Sequence, residues 1–109
     1  GEINRIWPLL NIALLPSKNR SQEWRGAKTC NLAIWRQDFN SIKGFDEHFT
    51  GWGYEDSDLV IRLLQAKVRR KHAKRAVTVL HLWHKENDRQ HEAENWQRLM
   101  ERIKLCKQP

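Results

Sequence analysis

Gly51-Trp52-Gly53-Tyr54-Glu55-Asp56-Ser57-Asp58-Leu59-Val60-Ile61-Arg62-Leu63-Leu64-Gln65-Ala66 is the stretch on which the fold turns. In its second half Leu59, Ile61/Arg62, Leu63 and Ala66 recur at helical spacing, and Glu55, Asp56 and Asp58 crowd the turn before them. Carboxylates are stabilised at a helix N-terminus by the unpaired amides and dipole there, so the spacing predicts a helix over Glu55–Ala66. In the first half two glycines flank one tryptophan. They permit backbone angles that a side chain would forbid, and can push the indole to the surface at the mouth of the helix. An exposed indole is a flat apolar platform for the apolar face of a sugar ring. Helix capping explains one of the three carboxylates. Mutual repulsion among three is expected to raise at least one pKa, which suits a general base.

Working outward, Asn40 to Gly53 is rich in turn formers: Asn40, Ser41, Gly44, Gly51 and Gly53. Thr29 to Phe39 reads as a strand, with Cys30, Leu32 and Ile34 alternating, followed by a short helical turn from Arg36. Ser17 to Lys28 reads as a loop. Glu2 to Leu15 is apolar, helical or extended up to Pro16. On the other side, β-branched and alternating Ala76 to Trp83 predicts a strand. Glu86 to Lys104 predicts a helix whose apolar stripe, Trp96, Leu99, Met100 and Ile103, faces the core. No internal repeat or low-complexity tract interrupts this order.

The composition bounds the rest. With 109 residues, 39% of them apolar and 30% charged, the chain has room for one small domain with a modest core. The longest apolar run, Ile6 to Leu15, is broken by Pro8 and Asn11 and is far short of the roughly 20 residues of a membrane span. No signal peptide is visible. The distant Cys30 and Cys106 form no metal-ligand pair and read as two reduced thiols, which favours a cytoplasmic location. Residue 1 is Gly and the one methionine is Met100, so a chain cut from a longer one is expected. The 6 tryptophans need a reason, as core plugs or as flat ligand surfaces.

The net charge of +7 is uneven: residues 56–109 carry 13 basic and 7 acidic side chains. Lys67, Arg69, Arg70, Lys71, Lys74 and Arg75 form a stretch with no acidic residue, a solvated turn or a patch for an anionic partner. It lacks the alternating aromatics of a single-strand groove, so nucleic acid is not the expected partner.

His81-Leu82-Trp83-His84 is the second constellation. Two histidines three apart, where a strand breaks into a loop, can both reach one cation, although such a pair alone is more often structural. Lys43-Gly44-Phe45-Asp46-Glu47, the Gly51–Leu59 stretch and His81–His84, in that order, resemble the C-terminal catalytic half of galactosyltransferase-type glycosyltransferases. These include β-1,4-galactosyltransferases, chondroitin N-acetylgalactosaminyltransferases and bacterial family 2 enzymes of GT-A fold. The resemblance covers roughly Gly26 to Lys85.

The resemblance implies an α/β fold: the C-terminal part of a GT-A domain, a few strands packed with two main helices. The chain would then be a single partial domain over residues 1–109, with a motif core at 26–85 and a C-terminal helix at 86–105. By the same resemblance Trp52 and Gly53 belong to the loop that packs against acceptor and donor, and Glu55 bonds acceptor hydroxyls. Asp56 is the catalytic base of an inverting transfer. Asp58 caps the helix and supports the loop. Lys28 to Leu32, with Asn31, is the strand flooring the acceptor site. His84 completes a Mn²⁺ shell, with His81 as a further ligand. The implied partners are a UDP-sugar, carrying galactose or N-acetylgalactosamine, and a glycan acceptor.

The chain departs from that pattern in lacking the nucleotide-binding half with its strand-end Asp-x-Asp motif. Asp56-Ser57-Asp58 has that spelling but lies at the helix start. Residues 1–109 alone are therefore expected to be inactive, and Ile6 to Leu15 with some tryptophans to pack on the absent half. Two other readings compete: a non-catalytic carbohydrate- or partner-binding module using Trp52, and a nucleic-acid-binding domain resting on Lys67 to Arg75. Neither gives the carboxylate cluster and the histidine pair a shared purpose. In a transferase the basic patch would face anionic glycan or a membrane surface.

Overall fold

The structure is a computed structural model that describes residues 20–21, 23–73 and 79–107. A helix-forming period dominates it. The elements in order are β1 (Arg20–Ser21), a 3-10 turn (Thr29–Asn31), α1 (Arg36–Ser41), α2 (Glu55–Gln65), β2 (Arg70–Lys71) and α3 (Glu92–Lys107). Expectations over Glu2–Leu15, Lys74 and Arg75, and the first residues of the Ala76–Trp83 strand, lie outside the described residues.

α2 forms where its period predicts and is the centre of the molecule. Asp58, Leu59, Val60, Ile61 and Leu63 are all buried on it. A helix buried over consecutive positions is covered on most of its circumference, unlike an ordinary amphipathic surface helix. α3 packs against it. The buried face of α3 carries Asn95 and Leu99, followed by half-buried Arg102 and Cys106, at spacings of four, three and four. Trp96, expected in the core stripe, is instead 43% exposed.

Both shorter helix ends close in the same way. After α1, Gly44 N–H donates to Phe39 O at 2.9 Å and Lys43 N–H to Asn40 O at 3.0 Å, with Lys43 left-handed at φ 62°. After α2, Val68 N–H donates to Leu63 O at 3.0 Å and Lys67 N–H to Leu64 O at 3.1 Å, with Lys67 at φ 67°. This paired closure satisfies carbonyls that the helix itself leaves open.

Three expected elements differ. The strand from Thr29 is a 3-10 turn flanked by extended Lys28 and Leu32, because the Asp56 carboxylate takes the Thr29 amide that a sheet partner would need. The Lys28–Leu32 floor strand is corrected accordingly. Between residues 79 and 83 the described chain forms no strand beyond a single bridge residue, Leu82. The C-terminal helix starts at Glu92, not Glu86, because Asp88 Oδ1 accepts the Gln90 amide at 2.9 Å and holds a turn there.

The expected Ser17–Lys28 loop contains β1, which pairs antiparallel with β2 in the register Arg20↔Lys71 and Ser21↔Arg70. Arg70 is no free cation of the basic run: its Nη1 donates to Glu23 O at 2.8 Å and Arg25 O at 2.9 Å. Cys30 and Cys106 are free thiols, as expected. Partial burial pushes the Cys106 thiol up, against the pull of the neighbouring Arg102 charge. No helix among the described residues is long and apolar enough to cross a membrane.

Candidate functional site

The Gly-Trp-Gly loop is built by residues far from it. Gly51 has φ +69°, Gly53 +115° and Tyr54 +67°, so the chain enters α2 through left-handed backbone. At Gly51 a Cβ would also stand 2.9 Å from Cδ2 of His91, on the turn before α3, so that ring and the positive φ both favour a glycine there. Fully buried Asn95 pins the loop: its Nδ2 donates to Thr50 O at 2.9 Å and Trp52 O at 3.2 Å. The Trp52 indole is 36% exposed, and the Arg89 guanidinium lies over it, 4.1 Å from the ring centroid. The sequence therefore placed this indole correctly, at the surface beside the helix mouth.

At roughly 100° per residue Asp56 and Asp58, two positions apart, leave α2 on nearly opposite sides, so these two carboxylates diverge. Asp58 turns inward and is completely buried. Its Oδ2 accepts Arg62 Nε at 2.7 Å and its Oδ1 accepts Arg102 Nε at 2.8 Å. Arg62 Nη1 continues to Ile42 O at 3.0 Å and Gly44 O at 2.7 Å. Arg102 Nη2 continues to Asp46 Oδ2 at 2.9 Å. Asp58 thus supports the neighbouring loop as expected, but it does not cap: Tyr54 occupies the N-cap position and no side chain closes it.

This network sets two ionisations. Burial would raise the Asp46 carboxyl, but the His48 amide, the His48 ring and Arg102 outweigh it and hold Asp46 below its ordinary value. Partial burial would lower Arg102, but Asp58 and Asp46 outweigh it and raise the pKa of its guanidinium.

Asp56 faces the 3-10 turn. Its Oδ2 accepts the Thr29 amide and its Oδ1 the Thr29 hydroxyl, each at 2.9 Å. Two bonds from one residue fix the carboxylate plane, yet each oxygen retains a second lone pair for another donor. Asn31 ends the same turn, so Asp56 and the Asn31 segment are brought together. Glu55 Oε2 is buried, with no hydrogen-bond partner among the described residues. A buried acceptor in that state calls for a donor.

The two histidine rings meet edge to face at 5.1 Å between centroids. His84 Nδ1 lies 2.8 Å from Lys85 O, and since a carbonyl only accepts, Nδ1 is the donor, which in the neutral ring leaves the lone pair on Nε2. That arrangement fits a metal-binding imidazole, whose other nitrogen commonly donates to a carbonyl. The pair offers two donors, and no group of three or more His, Cys, Asp or Glu suited to a metal occurs among the described residues. No described hydrogen bond, ion pair or ring contact joins His81 or His84 to Trp52 or Asp56.

Sequence reasoning did not single out Thr29, Arg89, Asn95 or Arg102. Arg62 was legible as the residue four after Asp58, a spacing at which opposite charges meet on a helix. The others act across long sequence separations and leave no local signal.

A family model described as the N-terminal domain of galactosyltransferase matches residues 12–85, most of the chain and all of the three motifs. No curated protein and no solved structure matches significantly. The glycine-bounded indole, the acidic first turn of α2 and the following histidine pair all lie within the matched span. The chain belongs to this galactosyltransferase family, and its role is that of a glycosyltransferase-type domain.

Proposed function

We propose that this domain is the acceptor-side, C-terminal half of an inverting, metal-dependent glycosyltransferase. It moves a hexose or N-acetylhexosamine from a UDP-sugar to a glycan acceptor, and a separate nucleotide-binding half supplies most of the donor pocket. The family match supports a galactosyltransferase-type domain; the C-terminal placement, the GT-A fold and the metal rest on the motif order. One observation carries the reading. With Asp58 sequestered between arginines, Glu55 and Asp56 are the carboxylates left at the mouth of α2, beside the exposed Trp52.

In this reading Trp52 and Gly53 shape the acceptor platform, with Asn31 at its edge. Glu55 bonds an acceptor hydroxyl through its carboxylate. Asp56, held in plane by Thr29, removes the proton from the attacking hydroxyl. That oxygen forms the new bond to the anomeric carbon as the bond to the diphosphate breaks on the opposite face. His84 and His81 would hold Mn²⁺, which neutralises charge on the departing nucleoside diphosphate.

The test is Asp56→Asn in the native full-length protein. Turnover of nucleotide sugar should fall by at least about 100-fold, the scale of a lost general base, while acceptor affinity is retained. Unchanged turnover would remove Asp56 from the chemistry. Acceptor binding with no transfer by the wild-type protein would point to a binding module instead.

A further inference from the structure

The fold sorts the basic run at the end of α2 into two faces. Arg70 is engaged on one of them, where its guanidinium holds the Glu23 and Arg25 carbonyls at 2.8 and 2.9 Å. Successive residues of an extended chain point to opposite faces, and the neighbours Arg69 and Lys71 are exposed on the other. Lys67, in the turn that closes α2, is exposed as well. The register sets Arg20 across from Lys71. None of the ion pairs among the described residues includes Lys67, Arg69 or Lys71. We propose that this outer face of the β1–β2 ribbon docks the domain on an anionic phospholipid surface.

The makeup of the face favours a bilayer over other polyanions. A discrete anion needs a cradle, and the grooves of about 370 Å³ against Phe39 and about 480 Å³ against Trp96 take no lining residue from 66–73. Ala66 to Ala73 holds no Ser, Thr, Asn or Gln, the neutral donors and acceptors that read sugar hydroxyls. It holds no Trp, Tyr or Phe on which nucleic-acid bases could stack. The Trp24 ring, in the turn that Arg70 holds, is already covered by the Arg25 guanidinium at 4.7 Å. What remains is charge set among small aliphatic side chains: exposed Ala66 and Ala73, and half-buried Val68. An anionic leaflet attracts each such cation through its surface potential and asks for no fixed geometry.

The face stands at the C-terminal end of α2, whose 11 residues separate it from Glu55. That is about 16 Å along the helix axis. Docking there leaves the Trp52 platform free. It holds whether or not the domain serves a transferase.

The experiment measures co-flotation of the native full-length protein with phosphatidylcholine vesicles, with and without phosphatidylserine. Wild type should prefer the vesicles that contain phosphatidylserine. Raising salt from about 0.1 M to about 1 M shortens the screening length from about 10 Å to about 3 Å and should abolish that preference. Lys67→Gln, Arg69→Gln and Lys71→Gln combined should weaken binding about 100-fold, or about fivefold for each cation. Arg98→Gln, Lys104→Gln and Lys107→Gln, at exposed positions of α3, remove the same charge and should keep most of the binding. Lys71→Gln alone supplies the fivefold step if the triple ribbon variant fails to fold. Equal losses from the two triple variants would mean that net charge alone attracts the protein, and would overturn the docking face. Equal binding to both kinds of vesicle would overturn it too. A ribbon variant that keeps vesicle binding but loses a heparin fragment or an oligonucleotide would assign the face to a glycan or a nucleic acid instead.

Discussion

Arg102 on α3 donates Nε to Asp58 Oδ1 on α2 at 2.8 Å, across 44 residues of sequence. Asp58 has no solvent exposure, and its other oxygen is held by Arg62. Removing one member of such a buried group leaves uncompensated charge. Asp58→Ala is expected to cost about 3–5 kcal/mol in urea unfolding, because it leaves the largely buried Arg62 guanidinium without its carboxylate and Arg102 with Asp46 alone. Arg102→Met should cost clearly less, since Arg62 still neutralises the carboxylate. Equal losses, or none, would show that Asp58 is not the hub.

Asn95 supplies both bonds that fix the carbonyls of Thr50 and Trp52. Asn95→Ala should destabilise the protein by about 2 kcal/mol, since two loop carbonyls lose their donor and a fully buried side chain is removed. Amide exchange over residues 50–53 should accelerate more than exchange in α2. Uniform acceleration throughout would mean that Asn95 serves the core generally, not the loop.

With Asp56 as the proposed base, Thr29 would be its positioning residue. Thr29→Val removes the hydroxyl bond to Oδ1 and keeps the amide bond to Oδ2. In the full-length enzyme kcat should drop about tenfold, near 1.4 kcal/mol of barrier, with acceptor KM unchanged. Thr29→Ser should restore it. A KM effect without a kcat effect would assign Thr29 to acceptor binding.

Asp46 gives the stability a signed pH dependence. Its folded pKa lies below the ordinary 3.8. Its contribution is therefore complete above the unfolded value and is lost as pH falls through the folded one. Wild type should lose stability below about pH 4, and Asp46→Asn should show a shallower acid limb in circular dichroism. Identical limbs for the two proteins would refute the linkage.

How much of this was legible follows from range. α2 could be read from its period and acidic first turn; the helical turn expected from Arg36 is α1, which runs on through Asn40 and Ser41, read as turn formers. Trp52 could be placed because two adjacent glycines announce its backbone. The strand expected from Thr29 failed because alternation at Cys30, Leu32 and Ile34 is a local signal, while the Thr29 amide is claimed by a carboxylate 27 residues away. The α3 stripe held at buried Leu99 and half-buried Met100 and Ile103 but failed at exposed Trp96, for a related reason. Asn95 and Arg102 occupy inward positions as polar residues, and an apolar pattern cannot report partners that satisfy them.

The steric demand at Gly51 bears on protein engineering. Its missing Cβ answers to His91, on the turn before α3, and the loop carbonyls answer to Asn95 one turn later. Gly-Trp-Gly is therefore not a portable cassette. Grafted into another scaffold without the start of α3, the triplet would keep its spelling and lose its shape.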